Sequence, residues 1–333
     1  MQTSKEVITA ALEFKRPDRL PVAFDAFGES DLHWVNWNQI GTGDHTQNHS
    51  YDEWGCGWSR SEIKNMGLVN EHPLDDWNKI DTFKWPDAND PAFYTGMESK
   101  FDGGRDKYIQ TGIFMLLFER MHALRGYENT LTDLYLEREN IEKLADRIVD
   151  YNISIIENIS TRFPGRIDGF SFSDDWGTEQ QLMIRPSLWV EFFKPRYKKM
   201  FDACKKAGWH VWMHSCGKVN DIIGELIDIG LDAINLQQPV LLGIEEVGRK
   251  CAGKICFQSL CDIQKTLPFK GKEDIEAEAK LLIDCWGTAD GGFILSDYGD
   301  GEAINVPLWK KRVMFDAFLA ADRWRNRAAG GHT

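Results

Sequence analysis

The stretch Trp209-His-Val-Trp-Met-His-Ser-Cys-Gly217 is an apolar run that ends on functional groups. Side chains alternate along a strand with period two, so His214 and Cys216 leave it on the same side. An imidazole and a thiol projected together are donors that zinc prefers. Gly217 lets the backbone turn sharply after them. A strand that stops on such groups and then turns into a helix is how α/β barrels build active sites. The plainer structural reading is a buried histidine and a free cysteine at a strand end.

Other apolar runs also end on polar groups. These ends are Asp25, Gln110 with Thr111, Asp174 with Asp175, Gln237 with Gln238, Gln258 with Cys261, and Asp297 with Tyr298. Together with His214 and Cys216 they predict one polar rim. Cys261, Asp297 or Asp175 would complete a metal site. Asp174, Asp175 and Tyr298 are the candidate catalytic groups, and Gln110, Gln237 and Gln238 the candidate cofactor-binding ones. Asp174 also reads as a helix N-cap before 178–182. Two adjacent carboxylates are hard to use in one cap, which leaves the other free. Asp297 also reads as a turn residue in Ser296-Asp-Tyr-Gly-Asp-Gly301. Cys204, Cys251, Cys256 and Cys285 read as structural thiols.

The elements that must position these groups alternate. A helix is predicted over 3–15, with Ser4 near its start and Pro17 beyond its end, and a first strand over 20–25. Residues 28–105 are rich in Gly, Trp, Asp and Pro and read as an irregular N-terminal elaboration over one end of a barrel. Strands follow at 107–110, 167–172, 209–213, 233–236, 254–257 and 292–296. Helices are predicted over 114–124, 141–162, 186–207, 219–229, 243–249, 273–285 and 308–325. Strands alternating with helices imply a parallel sheet, and the repeat count favours a distorted (β/α)8 TIM barrel over an open sheet. The whole of 1–333 reads as one such domain. No Gly-x-Gly-x-x-Gly follows an early strand, so a dinucleotide fold is unsupported.

Composition narrows the classes. The chain has 333 residues, 42% of them apolar, enough for one large core. A formal net charge of -13 argues against nucleic-acid binding. No apolar run approaches the roughly 20 residues a membrane span needs. The first residues lack the layout of a signal peptide. The 7 cysteines, an odd and scattered number, argue for reduced thiols, so the expectation is a cytoplasmic protein. The 13 tryptophans either pack the core and the barrel mouth or line an aromatic pocket for a flat or methylated ligand.

These pieces together resemble the uroporphyrinogen decarboxylase superfamily, and within it the zinc-dependent cobamide methyltransferases. Phe14-Lys-Arg-Pro-Asp-Arg-Leu-Pro-Val22 is similar to the family's opening segment. Ser173-Asp-Asp-Trp-Gly-Thr178 with Ile184-Arg-Pro-Ser-Leu-Trp189 resembles its third-strand loop and next helix, and Met213-His-Ser-Cys-Gly217 its metal-binding strand end. Gly230-Leu-Asp-Ala-Ile-Asn-Leu-Gln-Gln-Pro239 resembles the loop and strand that follow. The resemblance implies a distorted (β/α)8 barrel and zinc on His214 and Cys216. It also implies a corrinoid (cobalamin) cofactor, delivered by a partner corrinoid protein because this chain has no Asp-x-His-x-x-Gly motif.

Two departures shape the functional expectation. The thiol-activating members of the family place a further cysteine after the seventh strand, where this chain reads Ser296-Asp-Tyr-Gly-Asp300. Loss of a thiolate makes a site harder and more Lewis-acidic. The decarboxylases carry an Arg-rich motif after the first strand, where this chain reads Asp25-Ala-Phe-Gly-Glu-Ser-Asp31. The expectation is therefore a demethylating methyltransferase acting on a small methylated or methoxylated molecule. The alternatives are a cofactor-free decarboxylase of a porphyrinogen or other carboxylic acid, and a non-catalytic barrel that binds a small ligand. A homodimer is left open.

Overall fold

The structure is a computed structural model and describes residues 1–39, 47–60 and 67–325. Among the described residues, eight parallel strands form the barrel wall. They are β1 (Val22–Phe24), β2 (Leu32–Trp34), β3 (Tyr108–Ile113), β4 (Gly169–Ser173), β5 (His210–His214), β6 (Ala233–Leu236), β7 (Cys256–Ser259) and β8 (Phe293–Ser296). Strands β2 to β8 pair in sequence order, and β8 pairs with β1. This is the distorted (β/α)8 barrel that the alternation predicts.

The distortion lies between β1 and β2, where no helix intervenes. The chain turns through Asp25–Phe27, reverses at Gly28 with φ +70°, and returns as Glu29–Ser30 antiparallel to β1. It then bends at Asp31 and climbs again as β2 beside β3. Asp31 closes the ring: its N–H donates to Val22 at 2.6 Å, and its carbonyl accepts from Tyr108 N–H at 2.9 Å. Its carboxylate receives both ends of the Arg19 guanidinium at 2.6 and 2.7 Å. The segment read as an elaboration thus supplies one strand of the barrel, a correction to the expected boundaries. Leu32-His-Trp34 is too short and too mixed to stand out as a strand in sequence.

Period-two alternation decides what each strand presents. In β5, Val211 and Met213 pack outward in the main core, while Trp212 and His214 point in. In β4, Phe172 stacks on Phe201 of the Lys194–Lys206 helix, and Ser171 faces the barrel interior. The lower end of the barrel is filled by Tyr108, Trp212, Ala233, Cys256 and Ile294, packed against Val7, Ile8, Ala11 and Leu12 of helix Ser4–Leu12. Thr3 caps that helix in a capping box with Glu6. A plugged lower end leaves the carboxyl ends of the strands as the open face.

The outer helices follow the predicted order with shifted limits. The predicted 114–124 helix begins at Phe118, after Met115 takes φ +57°. The predicted 186–207 helix contains a wide turn over Trp189–Phe193. Pro195 lacks an N–H and its ring would clash with the carbonyl one turn back, so the helix widens there. The strands His49–Tyr51, Gly57–Ser59 and Leu68–Glu71 form a separate three-stranded antiparallel sheet. A buried ion pair, Arg120 with Asp52 at 2.6 Å, ties it to the barrel. Asp52 also accepts from the N–H groups of Trp54 and Cys56 and from Trp58 Nε1. Among the described residues no helix is long and apolar enough to cross a membrane.

Candidate functional site

The pairing of β4 with β5 continues past both strands into the loops that carry the motifs. Asp174 N–H donates to the His214 carbonyl at 3.1 Å and Gly177 N–H to the Cys216 carbonyl at 3.1 Å. Trp176 N–H donates to Ser215 Oγ at 3.1 Å. The two loops cross at glycines. Gly217 sits at φ +78°, and a Cβ on it would lie 2.0 Å from the Gly177 oxygen. A Cβ on Gly177 would lie 2.3 Å from Lys218 N. Gln238 Oε1 accepts Gly217 N–H at 2.6 Å and pins the same turn from β6. Asp175 is thereby held beside Cys216, whose N–H donates to Asp175 Oδ1 at 2.8 Å.

Asp175, His214 and Cys216 each aim one donor atom at a common point, all three atoms lying within 4.8 Å of one another. His214 Nε2 is 3.3 Å from Cys216 Sγ and 3.6 Å from Asp175 Oδ1. Tetrahedral zinc with ordinary bond lengths would separate its sulfur and nitrogen ligands by about 3.5 Å and nitrogen and oxygen by about 3.4 Å. The set fits the ion. The tautomer fits as well. Asn235 Nδ2 donates to the Gln258 carbonyl at 3.1 Å, which turns Asn235 Oδ1 toward His214 Nδ1 at 2.7 Å. Nδ1 must then carry the proton, leaving the Nε2 lone pair for a metal. His214, Asn235 and Gln258 are register partners on β5, β6 and β7, so one layer of the barrel holds the arrangement.

Electrostatics supports a cation here. Asp175 has no lysine or arginine partner among the described residues. Burial, then Asp175 and Glu119, push the Cys216 thiol well above its ordinary range. Burial, then Asp175 and Asp174, push the Glu119 carboxyl up, and its buried Oε2 has no hydrogen-bond partner. Tyr298 is pushed up by burial and then by Cys216, so its hydroxyl stays protonated near the sulfur. Acidic groups that raise one another, opposed at Glu119 by Arg120, are what a divalent ion would relieve, taking the thiol to its thiolate. Glu119 and Asn235 carry no motif. The sole sequence signal for Asn235 is a polar residue inside the apolar run Ala233–Leu236.

Several sequence candidates lie elsewhere. Asp174 is fully buried and accepts the N–H groups of Leu117, Phe118 and Glu119 at 3.1, 2.8 and 2.7 Å, plus the Tyr197 hydroxyl. It caps the Phe118–Arg125 helix rather than the 178–182 stretch, so it is not placed as a catalytic acid. Burial pushes its carboxyl up to about 6 against these hydrogen bonds. Cys261 turns into the core, its thiol 3.5 Å from the Ile275 carbonyl, and does not join Asp175, His214 and Cys216. Asp297 reaches the interior but pairs with Lys311 at 2.9 Å, both nearly buried. Gln238 serves the Gly217 turn rather than a cofactor. Gln110 and Gln237 do line the interior cavity, about 380 Å³, which adjoins His214. Among the tryptophans, Trp37, Trp54, Trp58 and Trp176 are core residues, and Trp34 alone among the lining residues brings an indole to that cavity.

The fold is a nearly closed parallel (β/α)8 barrel whose carboxyl rim carries a His, Cys and Asp set able to hold a metal ion. The uroporphyrinogen decarboxylase (URO-D) family pattern matches residues 110–319, and the chain belongs to that family. Among solved structures, a methyltransferase from Methanosarcina mazei matches with a TM-score of 0.67 at 16% identity, covering 99% of this chain and 100% of that one. An endo-β-1,4-xylanase from Gloeophyllum trabeum gives 0.41 at 10% identity, over 72% of this chain and 84% of its own. An intracellular xylanase from Thermoanaerobacterium saccharolyticum gives 0.38 at 11% identity, over 63% and 72%. The first likeness is one of fold along the whole chain, and the xylanases add nothing to it. A search of curated proteins gives no match.

Proposed function

We propose that this protein is a zinc-dependent methyltransferase that moves a methyl group between a small methylated or methoxylated substrate and a corrinoid carried on a partner protein. The observation that carries the reading is the Asp175, His214 and Cys216 donor set beside a cavity of small-molecule size. Family membership and the fold shared with a methyltransferase support it. When bound, zinc supplies Lewis acidity at the heteroatom that parts from the methyl group. His214 offers its Nε2 lone pair because Asn235 holds the proton on Nδ1. In this reading Tyr298, whose hydroxyl is kept protonated by burial and by nearby Cys216, gives the departing heteroatom its proton. The cavity admits a small molecule but not a corrinoid macrocycle, so the corrinoid meets the methyl group at the mouth. A Co(I) corrinoid on the partner would supply the electron pair for the new bond to methyl, and the heteroatom would keep the pair of the old one.

Decarboxylation of a porphyrinogen is disfavoured by the same wall. The segment Asp25–Asp31 offers acidic groups and no arginine, and a tetrapyrrole exceeds the cavity. The test is elemental analysis of purified protein followed by a methyl-transfer assay. One zinc per chain is expected, lost in His214→Ala and Cys216→Ser. Methyl transfer to added cob(I)alamin is expected from a panel of methoxylated and methylamine donors. Decarboxylation of uroporphyrinogen with no methyl transfer from any donor would refute the proposal.

A further inference from the structure

We infer that the substrate held beside His214 is an uncharged, hydroxyl-rich aliphatic methyl ether, such as a methylated sugar or polyol, read by the amides of Gln110, Gln237 and Gln258. This rests on the methyl-transfer reading above and names its substrate class. The three amides come from different places on the wall: Gln110 from β3, Gln258 from β7 and Gln237 from just after β6, all lining the cavity. None of their side chains has a protein hydrogen-bond partner among the described residues. Several carboxamides with structural duties in this protein are bonded within it. Asn235 bridges His214 and the Gln258 carbonyl, and Gln238 holds Gly217. Gln39 pairs with both backbone groups of Phe114 at 3.1 Å.

Gln110 is nearly buried and Gln237 and Gln258 are half-buried, so all three amides are open to whatever enters the cavity. Gln110 is 3% exposed. The Ser296 hydroxyl, on the same cavity, is buried without a partner. Buried polar groups are normally hydrogen-bonded, so these groups pair with what fills the cavity. Each amide offers donors and an acceptor together, which matches hydroxyl groups that also do both. The charged lining groups do not ask for a charged ligand. Asp297 is neutralised by Lys311, and Asp25 and Lys107 line the cavity with opposite signs. The apolar lining residues are Ala23, Leu32 and Trp34. That is too little to cover a flat aromatic ring, which would strand the amides. It suffices for one face of a sugar or polyol, with the half-exposed Trp34 indole against its C–H edges.

The probes are methyl α-D-glucopyranoside, guaiacol and tetramethylammonium, titrated calorimetrically into the full-length zinc-loaded protein. The glucoside is expected to bind at least about tenfold tighter than either other probe, the scale of one or two hydrogen bonds. Gln110→Leu and Gln258→Leu should each weaken it by about tenfold, again the scale of a lost hydrogen bond. Gln237→Leu, on a partly exposed loop, is the variant least able to disturb folding, and unchanged zinc content checks that each variant is folded. Tighter binding of guaiacol or tetramethylammonium, no binding of the glucoside, or unchanged affinity in the leucine variants overturns the inference. Methyl transfer from guaiacol to cob(I)alamin would sink the substrate class and spare the methyltransferase. Glutamine-dependent glucoside binding without methyl transfer from any donor would do the reverse.

Discussion

Replacing Asn235 by alanine tests whether the His214 layer is built for a metal. Asn235 Oδ1 accepts from His214 Nδ1 at 2.7 Å, and its own orientation is fixed by the Gln258 carbonyl at 3.1 Å. Without that acceptor the imidazole can place its proton on Nε2, which removes the lone pair that faces Cys216 and Asp175. The ring also loses the contact that sets its plane. Loss of such a partner typically costs about 10–100-fold in metal affinity. That corresponds to about 1.4–2.8 kcal/mol. The three donor atoms remain, so zinc binding should weaken without vanishing, and His214→Ala should cost more. Competition with a chromophoric chelator gives the zinc Kd, and near-UV circular dichroism reports whether the barrel is intact. A folded Asn235→Ala protein that holds zinc within about twofold of the wild type would refute the tautomer reasoning, because it lies well below the effect of a true partner.

Three further outcomes follow from the geometry. Gly217→Ala puts a methyl group 2.0 Å from the Gly177 oxygen at a positive φ, so thermal unfolding should show a loss of at least about 2 kcal/mol together with weaker zinc binding; an unchanged melting temperature would contradict the crossing of the two loops. Asp52→Ala leaves Arg120 buried and unpaired, and urea denaturation should show a loss of about 3–5 kcal/mol. His122 packs between Phe118 and Tyr127 and is pushed down to about 4, first by burial and then by His72 and Arg120. The folded state keeps it neutral while the unfolded chain takes up a proton below 6.5. Stability should therefore be full above that pH and fall toward pH 4, by up to about 3 kcal/mol, with His122→Phe flattening the profile.

Much of the architecture is legible because it depends on local periodicity. Apolar runs ending on polar groups locate the wall strands from β3 onward, and the intervening helices follow from their spacing. The strand β2 is not legible, since Leu32-His-Trp34 owes its place to Asp31 pairing with Val22 and Tyr108, not to its own pattern. The wide turn in the helix after Pro186 is signalled by Pro195, whereas the late start at Phe118 depends on Asp174, 56 positions away.

The site divides along the same line. By itself the sequence determines that His214 and Cys216 share one side of a strand end, because a strand's period is fixed by its backbone. It also determines that glycine follows them and that paired carboxylates stand at another strand end. Only the tertiary structure decides which carboxylate does what. Asp174 turns inward to cap a helix, and Asp175 turns to His214 and Cys216, since the loop crossing at Gly177 and Gly217 fixes their backbone. It likewise sends the Cys261 sulfur toward the Ile275 carbonyl and away from the rim. Periodicity states which residues share a face, but the partner opposite comes from another turn of the chain. Asp175 meets Cys216 across 41 positions and His214 meets Asn235 across 21, distances over which local pattern carries no information and packing alone sets the contact.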